Sequence, residues 1–222
     1  MKTFLRYALF GVLAVGVFFL VGWWLRDTQP EQVTDMPWQV DVDAEGRNTV
    51  FAITLGKTTL AEARKLWVRE AQLALFSADG AAVEEARLEA FFDLIPLGTM
   101  ISRVVLTVDL NGIDIDGLKA HVGGREPSST GEWRYGVHPD DLPTLDAQPV
   151  IGVTYVPIYV RLDDAMLVSR FGQPLEVVEE DEGRKRWRYP AIGLEVLLDA
   201  RGKAVFQYQL PPSSSVTADL TS

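Results

Sequence analysis

The chain has 222 residues, of which 47% are hydrophobic and none is cysteine. This composition suits one good-sized domain or two small ones, and it excludes a disordered acidic tail, a disulfide-stapled fold and thiolate chemistry. The formal charge of −10 is uneven, because three basic residues flank the apolar N-terminus and leave 18 basic against 31 acidic side chains in residues 27–222. We expect no nucleic-acid partner, since phosphates and anionic lipid surfaces repel so acidic a domain.

The N-terminal 26 residues predict a membrane anchor. Tyr7–Leu25 is a run of 19 residues without a charge, and a helix of that length spans about 28 Å, close to a bilayer hydrocarbon core. A cleaved signal peptide is the alternative, but no small-residue cleavage site follows the run. Trp23 and Trp24 suit the membrane–water interface, and Lys2 and Arg6 keep the N-terminus cytoplasmic. We therefore expect a single-pass inner-membrane protein with a periplasmic C-terminal domain in a bacterium.

A polar tether is predicted at residues 27–37, and the folded domain begins at residue 38. Trp38–Leu55 alternates apolar and polar residues around a Gly-containing turn, which predicts a hairpin. The next segment, Gly56–Trp67, has a helical apolar stripe, with Thr59 as N-cap and Glu62 as its capping-box partner. Three predicted strands follow at Ala71–Phe76, Leu88–Pro96 and Ile101–Leu110. This helix and its strands form an αβββ unit, which we extend with further elements to residue 160.

The middle of the chain predicts a second helix and another strand. Ile113–Val122 reads as a short helix whose N-cap is Asp114 or Asp116. After a glycine pair and a polar loop, a strand begins at residue 132 and carries Trp133 and Tyr135 on one face.

A helical turn and a long strand complete this region. Pro139 suits the first position of a helical turn. Val150–Val160 is rich in β-branched and aromatic residues, which predicts a strand, and Pro157 places that strand at a sheet edge or at a break.

Residues 161–211 contain the clearest signals for the start and end of each element. A helix begins at Asp163 or Asp164 and ends at Gly172, and Pro174 prevents its continuation. Strand-like segments follow at Leu175–Val178, Arg184–Tyr189, Leu194–Leu198 and Ala204–Leu210. The acidic and basic arms E-V-V-E-E-D and R-K-R-W-R should pair across the first hairpin. We interpret this region as a second αβββ repeat, followed by a disordered tail at residues 212–222.

Three motifs lie close together in this second unit: R-F-G-Q-P at 170–174, W-R-Y-P at 187–190 and G-L-E-V-L-L-D-A-R-G-K-A at 193–204. Together they resemble the SmpA/OmlA family of small envelope proteins and the β-lactamase-inhibitor-protein-like fold, in which the αβββ unit occurs twice. The resemblance implies an α+β fold with an antiparallel sheet and an envelope setting, and it implies no reaction. The chain departs from the outer-membrane assembly lipoproteins of this kind, because it has no lipidation cysteine and carries a predicted transmembrane anchor.

The sequence predicts no catalytic, cofactor or metal site. His121 has no second ligand at i+4, and His138 reads as a cap or turn residue. Three further candidates each lack a required motif. The acidic turn of Asp109, Asn111, Asp114 and Asp116 does not follow the EF-hand order. The segment 56–59 lacks the upstream glycine of a P-loop, and the loop with Ser128, Ser129 and Thr130 lacks a nucleophile motif. We therefore do not expect an enzyme.

The predicted interaction surface combines arginines with aromatic residues: Arg184, Arg186, Trp187, Arg188, Tyr189, Trp133 and Tyr135. The plainer alternative for the arginines is a solvated hairpin with surface ion pairs, each worth about 0–1 kcal/mol. The leading hypothesis is a non-enzymatic protein-interaction module, an accessory or scaffold subunit of an envelope complex. The alternatives are a binder of a small ligand, lipid or glycan in the sheet concavity, and a hydrolase with an unrecognised site.

Overall fold

The computed structural model describes residues 35–78 and 86–212. The predicted span Tyr7–Leu25, the break predicted at Asp79-Gly80 and residues 213–222 of the predicted tail lie outside these ranges. Within the described ranges, no helix combines the length and the hydropathy that crossing a bilayer requires.

A small antiparallel sheet opens the described chain, with strands β1 (Asp41–Val42), β2 (Asn48–Val50) and β3 (Ile53–Thr54). The predicted hairpin is therefore present with a third short strand. Its first turn is held by the Asp43 carboxylate, whose Oδ1 accepts hydrogen bonds from the Glu45 N–H at 3.0 Å and the Arg47 N–H at 2.8 Å.

The described residues also form a ten-stranded sheet in which every pair of neighbours is antiparallel. Its strands are β4 (Gln72–Ser77), β5 (Arg87–Leu97), β6 (Met100–Val108), β7 (Glu126–Pro127), β8 (Trp133–Tyr135), β9 (Val150–Pro157), β10 (Glu176–Glu180), β11 (Arg184–Tyr189), β12 (Leu194–Leu198) and β13 (Ala204–Gln209). In space their order is β10-β11-β12-β13-β9-β6-β5-β4-β8-β7. The chain is thus an α+β protein built on an antiparallel sheet, as predicted.

Strand β9 lies at the centre of this sheet, between β6 and β13, and not at an edge. The proline is tolerated because Pro157 is the last residue of the strand, where a missing N–H removes no interior ladder bond. The prediction that the strand breaks at Pro157 is confirmed, and the alternative that the strand lies at a sheet edge is wrong.

Four α-helices lie in the described residues: α1 (Leu60–Ala63), α2 (Ile115–Val122), α3 (Leu142–Asp146) and α4 (Asp164–Phe171). The predicted starts of α1, α2 and α4 are confirmed, since Thr59, Asp114 and Asp163 each accept a backbone N–H at an N-terminus. The capping box is complete, because the Thr59 N–H donates to Glu62 Oε2 at 2.9 Å.

Helix α1 is shorter than the predicted Gly56–Trp67. It ends after one turn, and Trp67 then packs edge-on against Phe92 with ring centroids 4.7 Å apart. Leu60 and Ala63 are fully buried, whereas Leu66 is 41% exposed. The apolar stripe of the helix therefore ends at Ala63, and Trp67 packs against the core from outside the helix.

One face of the ten-stranded sheet carries the core. Its buried side chains join those of the helices and of the small sheet in one cluster, whose largest fully buried members are Tyr155, Tyr208, Phe92 and Phe206. The Tyr208 hydroxyl donates to the Pro37 carbonyl at 2.5 Å, which ties the start of the described chain to β13. Because successive strand residues point to opposite faces, the alternate residues of the same strands form a second face.

Candidate functional site

The second face of the ten-stranded sheet, here called the open face, is the largest candidate surface. No helix of the described ranges buries its side chains against it, since the helices share the core of the opposite face. One row of paired residues crosses it from β5 to β10: Phe91, Val105, Thr154, Gln207, Glu195, Arg188 and Glu176. The surface therefore changes along this row from apolar, through neutral polar, to charged.

The charged end is a ladder of ion pairs between β10, β11 and β12. Arg186 lies between two carboxylates, with Nε 2.7 Å from Glu180 and a terminal nitrogen 3.0 Å from Glu195. Arg188 likewise contacts Glu176 at 2.9 Å and Glu195 at 3.3 Å. Hydrogen bonds to Glu180 and then Glu195 raise the pKa of Arg186. The predicted pairing of acidic and basic arms is confirmed, and these pairs neutralise the two guanidinium groups within the hairpin.

The middle of the open face is a shallow hollow of about 500 Å³. Gly152 has no side chain, so the hydroxyl and amide groups of its neighbours form the walls. The nearest ones belong to Thr107, Thr154, Gln207 and Gln209. These groups can accept and donate hydrogen bonds without bringing a charge to the contact. The hollow also contains one carboxylate, that of Asp109, which accepts two hydrogen bonds from Asn111.

The apolar end of the open face lies on β4, β5 and β6. Phe91 and Val105 are paired and half-buried, and Phe76 lies under the Arg87 guanidinium at 5.9 Å. Arg87 also holds Glu132 through two hydrogen bonds of 2.9 Å. This bidentate contact lowers the pKa of Glu132 and fixes the arginine beside the apolar residues.

Trp187 and Tyr189 do not belong to this surface, so their place in the predicted interaction surface is wrong. Each is only 5% exposed and lies in the core. The reason is the two-residue period of a strand, which sends Trp187 and Tyr189 inward and Arg184, Arg186 and Arg188 outward along β11. Within the described residues the indole Nε1 of Trp187 has no hydrogen-bond acceptor, so it serves as an apolar core side chain.

Trp133 and Tyr135 share a face of β8, as predicted, but they lie far from the arginines. They are opposite Ser77 and Leu75, on the core face, and β8 is seven places from β11 in the sheet. The Arg125 guanidinium lies 4.0 Å from the Trp133 ring. These aromatic residues are half-buried, so the seven predicted residues do not form one surface.

The two histidines of the chain lie side by side, which their separation in sequence did not reveal. Their rings are 6.1 Å apart, and His121 Nδ1 is 2.9 Å from Asp141 Oδ1. His138 caps the following turn by accepting the Asp140 N–H at 3.3 Å, as its position before Pro139 predicted. No group of three or more His, Asp or Glu side chains suited to a metal ion occurs in the described part of the chain.

An apolar crevice lies between α4 and the sheet and was not predicted. Its walls include Pro37, Trp38, Met100, Pro157 and Met166. The enclosed volume is about 20 Å³, little more than one water molecule needs. Arg170 covers the outer side of Trp38, with the guanidinium 4.4 Å from the ring. The crevice is a closed packing feature that has no room for a small-molecule ligand.

No protein-family model, no curated protein and no solved structure matches this chain.

Proposed function

We propose that this chain is a membrane-anchored, non-enzymatic protein-interaction module of the bacterial envelope, and that its open face binds the partner. The predicted anchor supports the location, with the folded domain in the periplasm. The extent and composition of the open face support the mode of action, and this face is the observation on which the proposal rests.

The open face has the dimensions of a protein interface. Eight strands from β10 to β4, spaced about 4.8 Å apart and about 20 Å long, present on the order of 700 Å². Each partner in a standard-size interface contributes about 800 Å². An apolar end lies beside neutral polar groups, and the arginines at the other end are already paired with carboxylates, so their burial leaves no guanidinium unpaired.

We further propose that the domain is a tandem repeat of the SmpA/OmlA-like kind. The order β4-β5-β6-β9 on one side of the sheet is mirrored by β10-β11-β12-β13 on the other. Each half begins with a helix, α1 or α4, and contributes these four strands, one more than in an αβββ unit. The first half also adds β8 and β7 at its outer edge. The halves meet at β9 and β13, so the two repeats supply one continuous open face.

The alternative is a binder of a small polar ligand or glycan, and one feature favours it. The hollow at Gly152 is lined by hydroxyl and amide groups, which suit the hydroxyls of a sugar. The hollow is shallow and open, and such a form suits contact with a protein surface equally well. Ligand binding is therefore the second candidate function.

Affinity capture of the full-length protein from detergent-solubilised membranes tests the proposal. We expect specific membrane or periplasmic proteins to be recovered with the wild type, and to fall at least about tenfold with Phe91→Ser/Val105→Ser. Each lost apolar contact weakens binding by on the order of 1–2 kcal/mol, and 1.4 kcal/mol corresponds to a tenfold change in affinity.

The matched control is Leu66→Ser/Val68→Ser. Both residues are exposed apolar side chains, at 41% and 105%, in the segment after α1 and outside the sheet. Equal recovery of the partner with both double variants, each shown by circular dichroism to be folded, would refute binding by the open face. Repeated recovery of the wild type alone would refute the interaction module, and a co-purifying sugar found by mass spectrometry would favour the alternative.

A further inference from the structure

Two uncharged segments meet at one end of the ten-stranded sheet. Residues 94–101 and 156–160 contain no charged side chain, in a chain of which 23% is charged. They are joined where the Ile158 N–H donates to the Ile101 carbonyl at 2.8 Å. We call these two segments the uncharged tip.

The uncharged tip exposes large apolar side chains at an energetic cost. Tyr159 is 92% exposed, and Leu94 and Ile101 are 40% and 41% exposed. Tyr159 and Leu94 also have φ angles of +66° and +52°, which are unfavourable for residues with a bulky side chain. Packing within the described domain compensates neither the strain nor the exposure of Tyr159, which points to an external apolar contact.

The polypeptide enters the folded domain beside this tip. Pro37 and Trp38 line the same crevice as Met100 and Pro157, which belong to the two uncharged segments. The predicted tether, residues 27–37, has 11 residues and reaches at most about 40 Å. The opposite end of the sheet lies about 27 Å farther along β6, counted from Met100 to Val108. The predicted tether therefore joins the folded domain at this end of the sheet.

We propose that the uncharged tip rests in the headgroup region of the bilayer, with Tyr159 as its main contact. This inference depends on the membrane anchor of the proposed function, but not on the open face. An amphipathic aromatic ring beside aliphatic residues suits the membrane–water interface. The contact is apolar and not electrostatic, because residues 27–222 carry a net charge of −13 and anionic lipid repels them. The lipid is therefore a zwitterionic one.

The absence of cysteine from the chain allows a direct test. Thr99→Cys and Asn111→Cys each place one thiol on an exposed turn residue, at opposite ends of β6. Each full-length variant is labelled with bimane and inserted into phosphatidylcholine nanodiscs that contain a nitroxide-headgroup lipid. We expect quenching of the label at residue 99 to be at least about threefold stronger than at residue 111.

Equal quenching at the two positions overturns the proposal, since the tip would then have no preferred contact with lipid. A label at residue 99 that is shielded from aqueous iodide but not quenched by the nitroxide lipid also overturns it, because a protein would cover the tip. Failure of both variants to insert into nanodiscs would instead refute the anchor itself. Loss of the partner in the capture experiment leaves the expected quenching unchanged.

The double variant Thr99→Cys/Tyr159→Asn tests the role assigned to Tyr159. Asparagine tolerates a positive φ angle, so the melting temperature should not fall. Quenching at residue 99 should decrease at least about twofold. Unchanged quenching would overturn the assignment of Tyr159 to this contact.

Discussion

At the scale of single residues, Gly193 joins three segments of the chain. Its φ angle is +62°, and a Cβ atom there would lie 2.0 Å from the Gln209 carbonyl oxygen and 2.9 Å from Asn48 Nδ2. Asn48 is fully buried, and its Nδ2 donates to the carbonyls of Ile192 and Gln209, both at 2.9 Å. The absence of a side chain at residue 193 therefore allows Asn48 to tie the small sheet to the turn before β12 and the end of β13.

Gly193→Ala should destabilise the fold by several kcal/mol, because the new methyl group collides with a backbone carbonyl and breaks the contacts of a buried amide. The matched control is Gly123→Ala, which has a similar φ of +66° but no atom within 4 Å of the added Cβ. That control should cost only about 1 kcal/mol, from backbone strain alone. Urea unfolding of both variants gives the comparison, and equal losses would contradict this role for Gly193.

At the scale of elements, the same turn occurs twice. D-A-E-G-R at 43–47 joins β1 to β2, and D-A-R-G-K at 199–203 joins β12 to β13. In both, one aspartate oxygen accepts two backbone N–H groups at 2.8–3.0 Å, and a glycine follows with φ near +80°. Backbone hydrogen bonds, from the N–H groups of Arg47 and Lys203 respectively, are the largest cause of the lowered pKa of each aspartate.

These two turns should make stability depend on pH in the acid range. A pKa that is lower in the folded than in the unfolded state contributes stability above the unfolded value, and this contribution is lost as pH falls through the folded one. Between pH 5 and pH 3 the urea midpoint of the wild type should therefore fall. The urea midpoint of the double variant Asp43→Asn/Asp199→Asn should be lower than that of the wild type at neutral pH. It should also fall less between pH 5 and pH 3, since asparagine keeps the hydrogen-bond acceptor and loses the charge.

The control for this pH effect is Asp116→Asn, a change at a carboxylate that is 93% exposed. It should leave the profile of the wild type intact. A profile as steep in the turn variant as in the wild type would show that these carboxylates do not carry the acid sensitivity.

The helix caps and most strand boundaries could be predicted from the sequence. The capping box at Thr59 and the caps at Asp114 and Asp163 depend on bonds between residues a few positions apart. Most strand boundaries follow from apolar alternation that ends at turn residues. The length of α1 was not readable, because Trp67 leaves the helix to meet Phe92. The inward direction of Trp187 could have been predicted from strand alternation with the apolar Val177 and Val196 opposite it, whereas the distance of Trp133 from β11 could not, since it depends on strand order.

At the scale of the whole molecule, β9 joins the two halves. It pairs with β6 on one side and β13 on the other, and Tyr155 on β9 packs on Phe206 of β13 with ring centroids 5.6 Å apart. One core cluster contains residues from both halves. Loss of β9 would therefore expose the edges of its neighbours β6 and β13, and with them the core that the two halves share.

The two halves should therefore unfold together. Leu106→Ala in β6 removes a fully buried side chain and should cost about 2–5 kcal/mol. Native-state hydrogen exchange should show the same loss of protection in β12, although β12 belongs to the other half. Protection of β12 that is unaffected by Leu106→Ala would show two independent units in place of a single cooperative one.

Strand β10 is the last strand of the sheet, and its outer backbone groups pair with no other strand of the described residues. An unpaired edge invites further strands to add and so promotes aggregation. Three of the five residues of β10 are glutamates. Glu180 and Glu176 hold Arg186 and Arg188 in the ion-pair ladder, so the edge carries charged groups that an added strand would have to desolvate. The ladder therefore opposes strand addition at this edge as well as ordering the hairpin.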